Sequence, residues 1–427
     1  MRNADVYIAS DNILSPLGVT TAANFSQLRR TVSGIRLHED VVMSPQPFYA
    51  ALFGKEDHFP EIEEGGVLKE RVVYTKFERL LIGSIQSALQ NSGIGVGDKK
   101  TGLVLSSTKG NISLLETAVN GSGLDAASVR SGAGSLPGVR TEFDSGLQSG
   151  WRAELAIGSR LDPELKERIA LHTSARLIAG HFGFSNSPIV ASNACISGIM
   201  AILTGARLIR SGLYENVVVA GADVISNFVL SGFQSFQAIS SRPCRPFDRS
   251  RDGITLGEGA GTVILSSRRE YAGGIKVMGG STSNDANHLS APSRTGAELA
   301  YSINRALKEA GLLSTDIDFI SAHGTATLYN DEMEAKALTL ANLQNVPVNS
   351  LKGYYGHTLG AAGLIESIIA TQSLKEDLVI PTIGFEEMGV SQPLNVCDKL
   401  LSAPLKNCLK TASGFGGCNA ALVLSKE

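Results

Sequence analysis

Cys195 stands where an apolar strand pattern, residues 188–192, gives way to an apolar helix pattern that opens at Cys195-Ile196-Ser197-Gly198. A strand-to-helix corner, here Asn193-Ala194, aims one side chain outward at a helix N-terminus. There the unpaired backbone N–H groups and the helix dipole favour thiolate over thiol. A cysteine taken alone is more often a small buried core residue, but two histidines reverse that reading. His323 follows the strand pattern 317–322 within Ala322-His323-Gly324-Thr325-Ala326-Thr327. His357 ends Lys352-Gly353-Tyr354-Tyr355-Gly356-His357, after the strand pattern 346–349. One cysteine with histidines far off in sequence is the pattern of a thiol nucleophile assembled by the fold.

The elements that must carry these residues alternate. Short apolar runs at 101–106, 216–221, 260–265 and 275–278 read as strands, and 74–91, 164–181, 296–310 and 360–374 fit helices. That alternation predicts an α/β protein. The helix after Cys195 is apolar on most sides, through Ile199, Met200, Ile202, Leu203, Ala206 and Ile209, so it belongs inside the molecule. The strand-Cys195-helix unit has a counterpart in the strand-His357-helix unit. Two similar halves are therefore expected, 1–252 with the thiol and 253–427 with both histidines. Residues around 110–165, with a Gly- and Ser-rich run at 121–150, read as an elaboration over the core.

The chain has 427 residues, 43% apolar and 19% charged, with a formal charge of -3. This is the composition of a soluble globular protein with a large core, and it provides no broad basic field for nucleic acid. No uncharged apolar run approaches the ~18 residues of a membrane span. The first nine residues read as a strand rather than a signal peptide. Five cysteines, with no C-x-x-C pair and no zinc spacing, point to a reduced, cytoplasmic protein without a structural metal.

Further motifs follow in order: Ser15-Pro16-Leu17-Gly18, Arg245-Pro246-Phe247-Asp248-Arg249, Asp252-Gly253, Gly257-Glu258-Gly259-Ala260-Gly261, Gly414-Phe415-Gly416-Gly417 and Asn419. With the cysteine and histidine motifs they resemble the β-ketoacyl-[acyl carrier protein] synthases of the thiolase-like superfamily, over nearly the whole chain. The resemblance implies a thiolase-like fold, two similar halves in αβαβα layers, and an acyltransferase that performs decarboxylative Claisen condensation. Cys195 would carry the acyl group as a thioester, and His323 and His357 would drive decarboxylation of malonyl-carrier protein. The N–H groups of Cys195 and Phe415 would form the oxyanion hole. Thr325 and Thr327, alternate residues of one extended segment, would bind the phosphopantetheine arm, and Phe415 would gate it. Lys352 matches the family's active-site lysine, with Glu334 as its partner. Asp331 and Glu334, three apart on a helix, would share a supporting face. No bound cofactor or metal is implied. The partners implied are acyl carrier protein and a second subunit, identical or related.

Two positions depart from the family pattern: Ser413 stands where Phe is common and Leu328 where Pro is common. Lys109, in Thr108-Lys109-Gly110-Asn111, lies near a segment that often limits acyl-chain length. A lysine deep in an apolar pocket is costly unless paired, which predicts a substrate other than an ordinary long saturated chain. Arg207 and Arg210 are candidates for contact with the carrier protein. The alternatives are a thiolase-like enzyme acting on coenzyme A esters, with Cys418 as its second cysteine, and a non-catalytic chain-length partner subunit. The His323 motif argues against the first, and Cys195 with both histidines argues against the second.

Overall fold

The apolar runs assemble into one ten-stranded sheet in a computed structural model that describes residues 4–54, 72–120 and 166–427. Its first five strands are β1 Tyr7–Leu14, β2 Thr101–Ser106, β3 Ile189–Ala191, β4 Asn216–Asp223 and β5 Gly259–Ser266. The second five are β6 Ile275–Asn284, β7 Phe319–Ser321, β8 Val348–Asn349, β9 Asn407–Gly414 and β10 Cys418–Lys426. From the centre outward the first half runs β1-β5-β4-β2-β3 and the second β6-β10-β9-β7-β8. Strand directions repeat as well. β2 is parallel to β3 and β4, as β7 is to β8 and β9, while β5 and β10 run antiparallel to their neighbours. The halves join where β1 pairs with β6, at Tyr7↔Lys276 and Ile8↔Ile275.

Every residue of β4 is buried, around the run Val217-Val218-Val219. Such unbroken apolar strands need cover on both faces. Helices α1 Lys76–Ser92 and α2 Leu171–Phe182 cover the outer side of the first half. Helix α1 starts at a capping box in which Thr75 and Glu78 satisfy each other's backbone N–H, and it ends at Gly93 with φ +66°. Helix α3 Ser197–Arg210 packs on strands of both halves. Helix α4 Ala297–Ala310 covers β6 and β10, with α5 Leu328–Leu340 against it. Helix α6 Ala362–Glu376 shares the middle layer with α3 and also touches both halves. The order is α1/α2, first half, α3/α6, second half, α4/α5, the five-layered thiolase-like architecture.

The two middle helices approach backbone to backbone near their first turns. A Cβ on Gly198 would overlap the backbone of Leu364, and one on Gly363 would lie 2.9 Å from Ile199 Cγ1. Only glycine allows that approach. It brings together the segments just before each helix, which hold Cys195 and His357.

The topology moves some sequence boundaries. β5 pairs with β1 and β4, so the first five-strand unit closes at Ser266 rather than at 252/253. β6 runs on to Asn284 because β10 pairs along its whole length. The helix expected over 164–181 is described from Leu171. The Gly- and Ser-rich run 121–150, and most of the expected elaboration, lie outside the described residues. Among the described residues no helix is long and apolar enough to cross a membrane.

Gly198→Val should lower unfolding stability by about 1–3 kcal/mol through overpacking at the helix crossing. Gly97→Ala adds its methyl in open space and should leave the urea midpoint unchanged.

Candidate active site

The corner before α3 is held in a shape that few residues adopt. Ala194 has φ +43°, a left-handed conformation that is strained for a residue with a Cβ. Ser197 holds the corner, since its Oγ accepts from Asn193 N at 2.8 Å and donates to Ala194 O at 2.6 Å. Cys195 is thereby turned to face the second half.

Both histidines meet it there. His357 Nε2 lies 3.0 Å from Cys195 Sγ. The His323 and His357 rings are edge-to-face with centroids 5.2 Å apart. Ligand atoms of the three side chains all lie within 4.8 Å of one another. The His357 loop is tied to the chain before β5, with His357 N donating to Thr255 O at 2.6 Å and Gly257 N donating to His357 O. The His323 loop is held by buried carboxylates. Glu334 accepts the N–H of His323 and of Gly324, each at 2.8 Å, and the Thr411 hydroxyl at 2.6 Å. Asp331 accepts Thr325 N at 2.9 Å and Phe247 N at 2.8 Å. Both carboxylates come from α5, one helical turn apart. Gly324 has φ +41°, and a Cβ there would meet Ser350 Cβ at 2.6 Å, so the turn after His323 requires glycine.

The electrostatics differ from the expected thiolate. Burial pushes the Cys195 thiol up to about 12, Cys418 adds to the shift and Lys352 opposes it. Burial, then the Lys352 ammonium, holds His323 and His357 well below the usual imidazole value. Burial thus favours the uncharged thiol and the uncharged imidazoles over their charged forms, opposite to the thiolate expected from the helix start. Burial also lifts the Asp331 carboxyl to about 6, against the Phe247 N–H and Arg251.

Lys352 does not pair with Glu334. Its Nζ donates to His323 O at 3.0 Å and pairs with Glu366, which the sequence reading missed. Glu334 is fully committed to the His323 loop and to Thr411. The other oxygen of Glu366 lies 2.6 Å from the Nζ of Lys410, also missed. A signal was present: Lys410 is the one charge in the strand pattern of β9, and Glu366 lies among the apolar residues of the first half of α6, and a buried charge needs a partner.

A cavity of ≈ 540 Å³ opens onto the cluster, lined by Cys195, His323, His357, Thr325, Thr327 and Phe415. The Thr325 and Thr327 hydroxyls are 2.9 Å apart. They converge because Ala326 turns left-handed, φ +62°, rather than through strand alternation. Phe415 packs on Phe233 and Phe236, with centroids at 5.7 and 5.5 Å. Its hairpin passes close to Cys195, since a Cβ on Gly414 would lie 2.9 Å from Cys195 N. Lys109 also lines the cavity. Arg207 and Arg210 do not, because they sit in the last turn of α3, ~18–22 Å from Cys195 along the helix axis. Arg210 is committed to Glu309 and to the carbonyls of Val277 and Met278.

Cys195, His323 and His357 have the composition of a metal site. However, Nδ1 of both histidines is buried without a hydrogen-bond partner, where metal-bound histidines are normally oriented by a second group. The arrangement fits a nucleophile and two neutral imidazoles better.

Fold and cluster together define a thiolase-like acyltransferase. Residues 3–270 match the family described as Beta-ketoacyl synthase, N-terminal domain, and residues 275–386 match Beta-ketoacyl synthase, C-terminal domain. The chain belongs to the β-ketoacyl synthase family. The 3-oxoacyl-[acyl-carrier-protein] synthase 2 of Vibrio cholerae is 35% identical over 278 residues, 60% of this chain and 67% of that one. The tetracenomycin polyketide synthase ketoacyl synthase alpha subunit of Streptomyces glaucescens is 28% identical, over 99% of this chain and 97% of that one. Among solved structures, the ishigamide ketosynthase/chain length factor superposes with a TM-score of 0.82 at 24% identity, covering 100% of both chains.

The depressed imidazoles make stability depend on pH. Above the unfolded value of 6.5 both states are neutral, and below it the unfolded chain binds protons that the folded chain refuses. Wild-type stability should therefore fall between pH 7.5 and 5.5 relative to His323→Asn/His357→Asn, by up to about 1.4 kcal/mol per imidazole per pH unit. Urea titrations of both proteins at the two pH values measure the difference.

Proposed function

We propose that this protein condenses an acyl group held as a thioester on Cys195 with malonyl-carrier protein, releasing CO2 and a β-ketoacyl-carrier protein. The observation that carries the reading is the 3.0 Å contact between Cys195 Sγ and His357 Nε2, with His323 beside it. In the first half-reaction, Sγ attacks the acyl thioester as its proton passes to His357. That proton then leaves with the pantetheine thiol. In the second, the malonyl carboxylate departs as CO2 and the enolate oxygen rests on the imidazole N–H groups. The enolate carbon attacks the Cys195 thioester carbonyl, the C–S bond to Cys195 breaks, and the departing thiolate takes one proton from solvent to regenerate the thiol. Neutral imidazoles suit this step, since each presents an N–H donor without adding a charge to the site. Backbone N–H groups of Cys195 and Phe415 hold the tetrahedral oxyanion. Neither N–H has an acceptor in the backbone hydrogen-bond network of the described residues.

Thr325 and Thr327 bind the phosphopantetheine arm as a substrate group, Phe415 gates it, and Lys352, Glu334 and Asp331 support the histidines. The partners are an acyl carrier protein and a second subunit, identical or related. A structurally similar ketosynthase is solved with its acyl-carrier protein, and another with its chain length factor. Five free cysteines fit a reducing cytoplasm. The thiolase alternative needs a second cysteine at the reacting centre. Cys418 instead directs its thiol at Asn193 O and Phe415 O and lies outside the cluster.

The acyl group is not an ordinary long saturated one. Lys109 stands at the cavity wall and is exposed to water, and a fully apolar chain packed there would displace some of that water without offering a partner.

Incubation with a panel of acyl-carrier proteins should leave a thioester adduct on Cys195, read by intact-protein mass spectrometry. Cys195→Ala should take up no adduct and should not condense, and condensation by that variant would defeat the reading. His323→Ala should still acquire the adduct but lose condensation about 100- to 1000-fold, the scale of losing one donor to a developing oxyanion. Lys109→Ile should raise the rate with long saturated acyl groups about tenfold. An unchanged chain-length profile would discard the substrate assignment alone.

A further inference from the structure

Lys410 lies inside β9 and is fully buried. A lysine on a core strand gains nothing in stability over an apolar residue of similar length, because its charge must be desolvated. Three oxygens surround its ammonium: Ser321 O at 3.1 Å, Ala322 O at 3.0 Å and Glu366 Oε2 at 2.6 Å. Lys352, which shares Glu366, takes the next carbonyl along, His323 O. Three consecutive carbonyls, 321 to 323, are thus gripped by two ammoniums joined through one carboxylate. On the N–H side Glu334 and Asp331 hold residues 323 to 325. The neighbouring Thr411 hydroxyl braces Glu334, so consecutive residues of β9 secure both sides of the loop. Lys410 does not line the cavity and touches no reacting atom.

We propose that Lys410 is a positioning residue for the condensation step: its ammonium fixes the strand end that delivers His323 and, through Glu366, fixes Lys352 beneath the same loop. The proposal rests on the condensing function given above. Its positive charge also contributes to holding both imidazoles neutral. Acylation of Cys195 uses the Sγ–Nε2 contact with His357, which Lys410 does not hold. Condensation needs His323 aligned beside His357. Loss of Lys410 should therefore separate the two half-reactions.

The test is Lys410→Met, of similar length without the charge, assayed with the acyl-carrier protein that loads the wild type fastest. Adduct formation on Cys195 should stay within about threefold of wild type, while condensation with malonyl-carrier protein should fall about 100-fold. The acid limb of the condensation profile should move to higher pH, because removing a nearby positive charge raises the imidazole pKa. Wild-type condensation with an unmoved acid limb would overturn the proposal. So would an equal fall in both half-reactions, which marks general damage. Where Lys410→Met does not fold, Lys410→Ala prepared with methylammonium takes its place. Condensation should rise at least about tenfold as methylammonium is added, with acylation unaffected, and no rise overturns the proposal. A wild type that neither loads nor condenses removes the functional reading instead, and this proposal with it.

Discussion

The close crossing of α3 and α6 is the constraint on which the rest of the structure depends. Each helix follows the third strand of its own half, so similar topology places the two helix starts opposite each other in the middle layer. Gly198 and Gly363 let the backbones approach, and the residues before each helix become neighbours. Cys195 and His357 are 162 positions apart in the chain and in hydrogen-bond contact in space. A side chain at either glycine would push the helices apart and open that contact while leaving each half's sheet intact.

His323 is placed by a different device. Its loop is short, buried and turned at Gly324, so its backbone groups cannot all find partners within a sheet or helix. Carboxylates from α5 take the N–H groups, and ammoniums from Lys352 and Lys410 take the carbonyls. The arrangement satisfies the backbone and leaves the imidazole free to face the cavity. It also surrounds both histidines with positive charge in a desolvated setting, which keeps them neutral. Burial disfavours the Cys195 thiolate for the same underlying reason. In the proposed function, a proton moving from sulfur to imidazole at the moment of attack avoids a standing buried charge.

The cavity joins these parts to the substrate. Two hydroxyls meet on its wall, the pair to which the proposed function gives the pantetheine arm, and the Phe415 ring, packed against Phe233 and edge-on to Phe236, lines it as well. The likeness to solved ketosynthases at about a quarter identity or less extends over the whole chain. The layered topology is what persists at that identity.

Much of this was legible in the residues themselves. Apolar periodicity marks strands and helices locally, so the α/β class and the strand-Cys195-helix and strand-His357-helix units could be read directly. Glycine-flanked histidines after strands marked the other site loops. Partner choice could not be read this way. The sequence reading paired Lys352 with Glu334, whereas Glu334 is used by the His323 backbone and Lys352 turns to Glu366. Pairing between buried charges depends on which elements stack, and sequence distance carries no information about that. The charge state of Cys195 likewise depends on how completely the second half desolvates it, which the local helix start cannot express. The division between the halves moved to β5 because strand pairing is non-local. The amino-acid sequence determined the elements and the chemistry available to them; only tertiary packing decided which groups meet, and in which protonation state, because burial and long-range contact exist only once the halves have closed on each other.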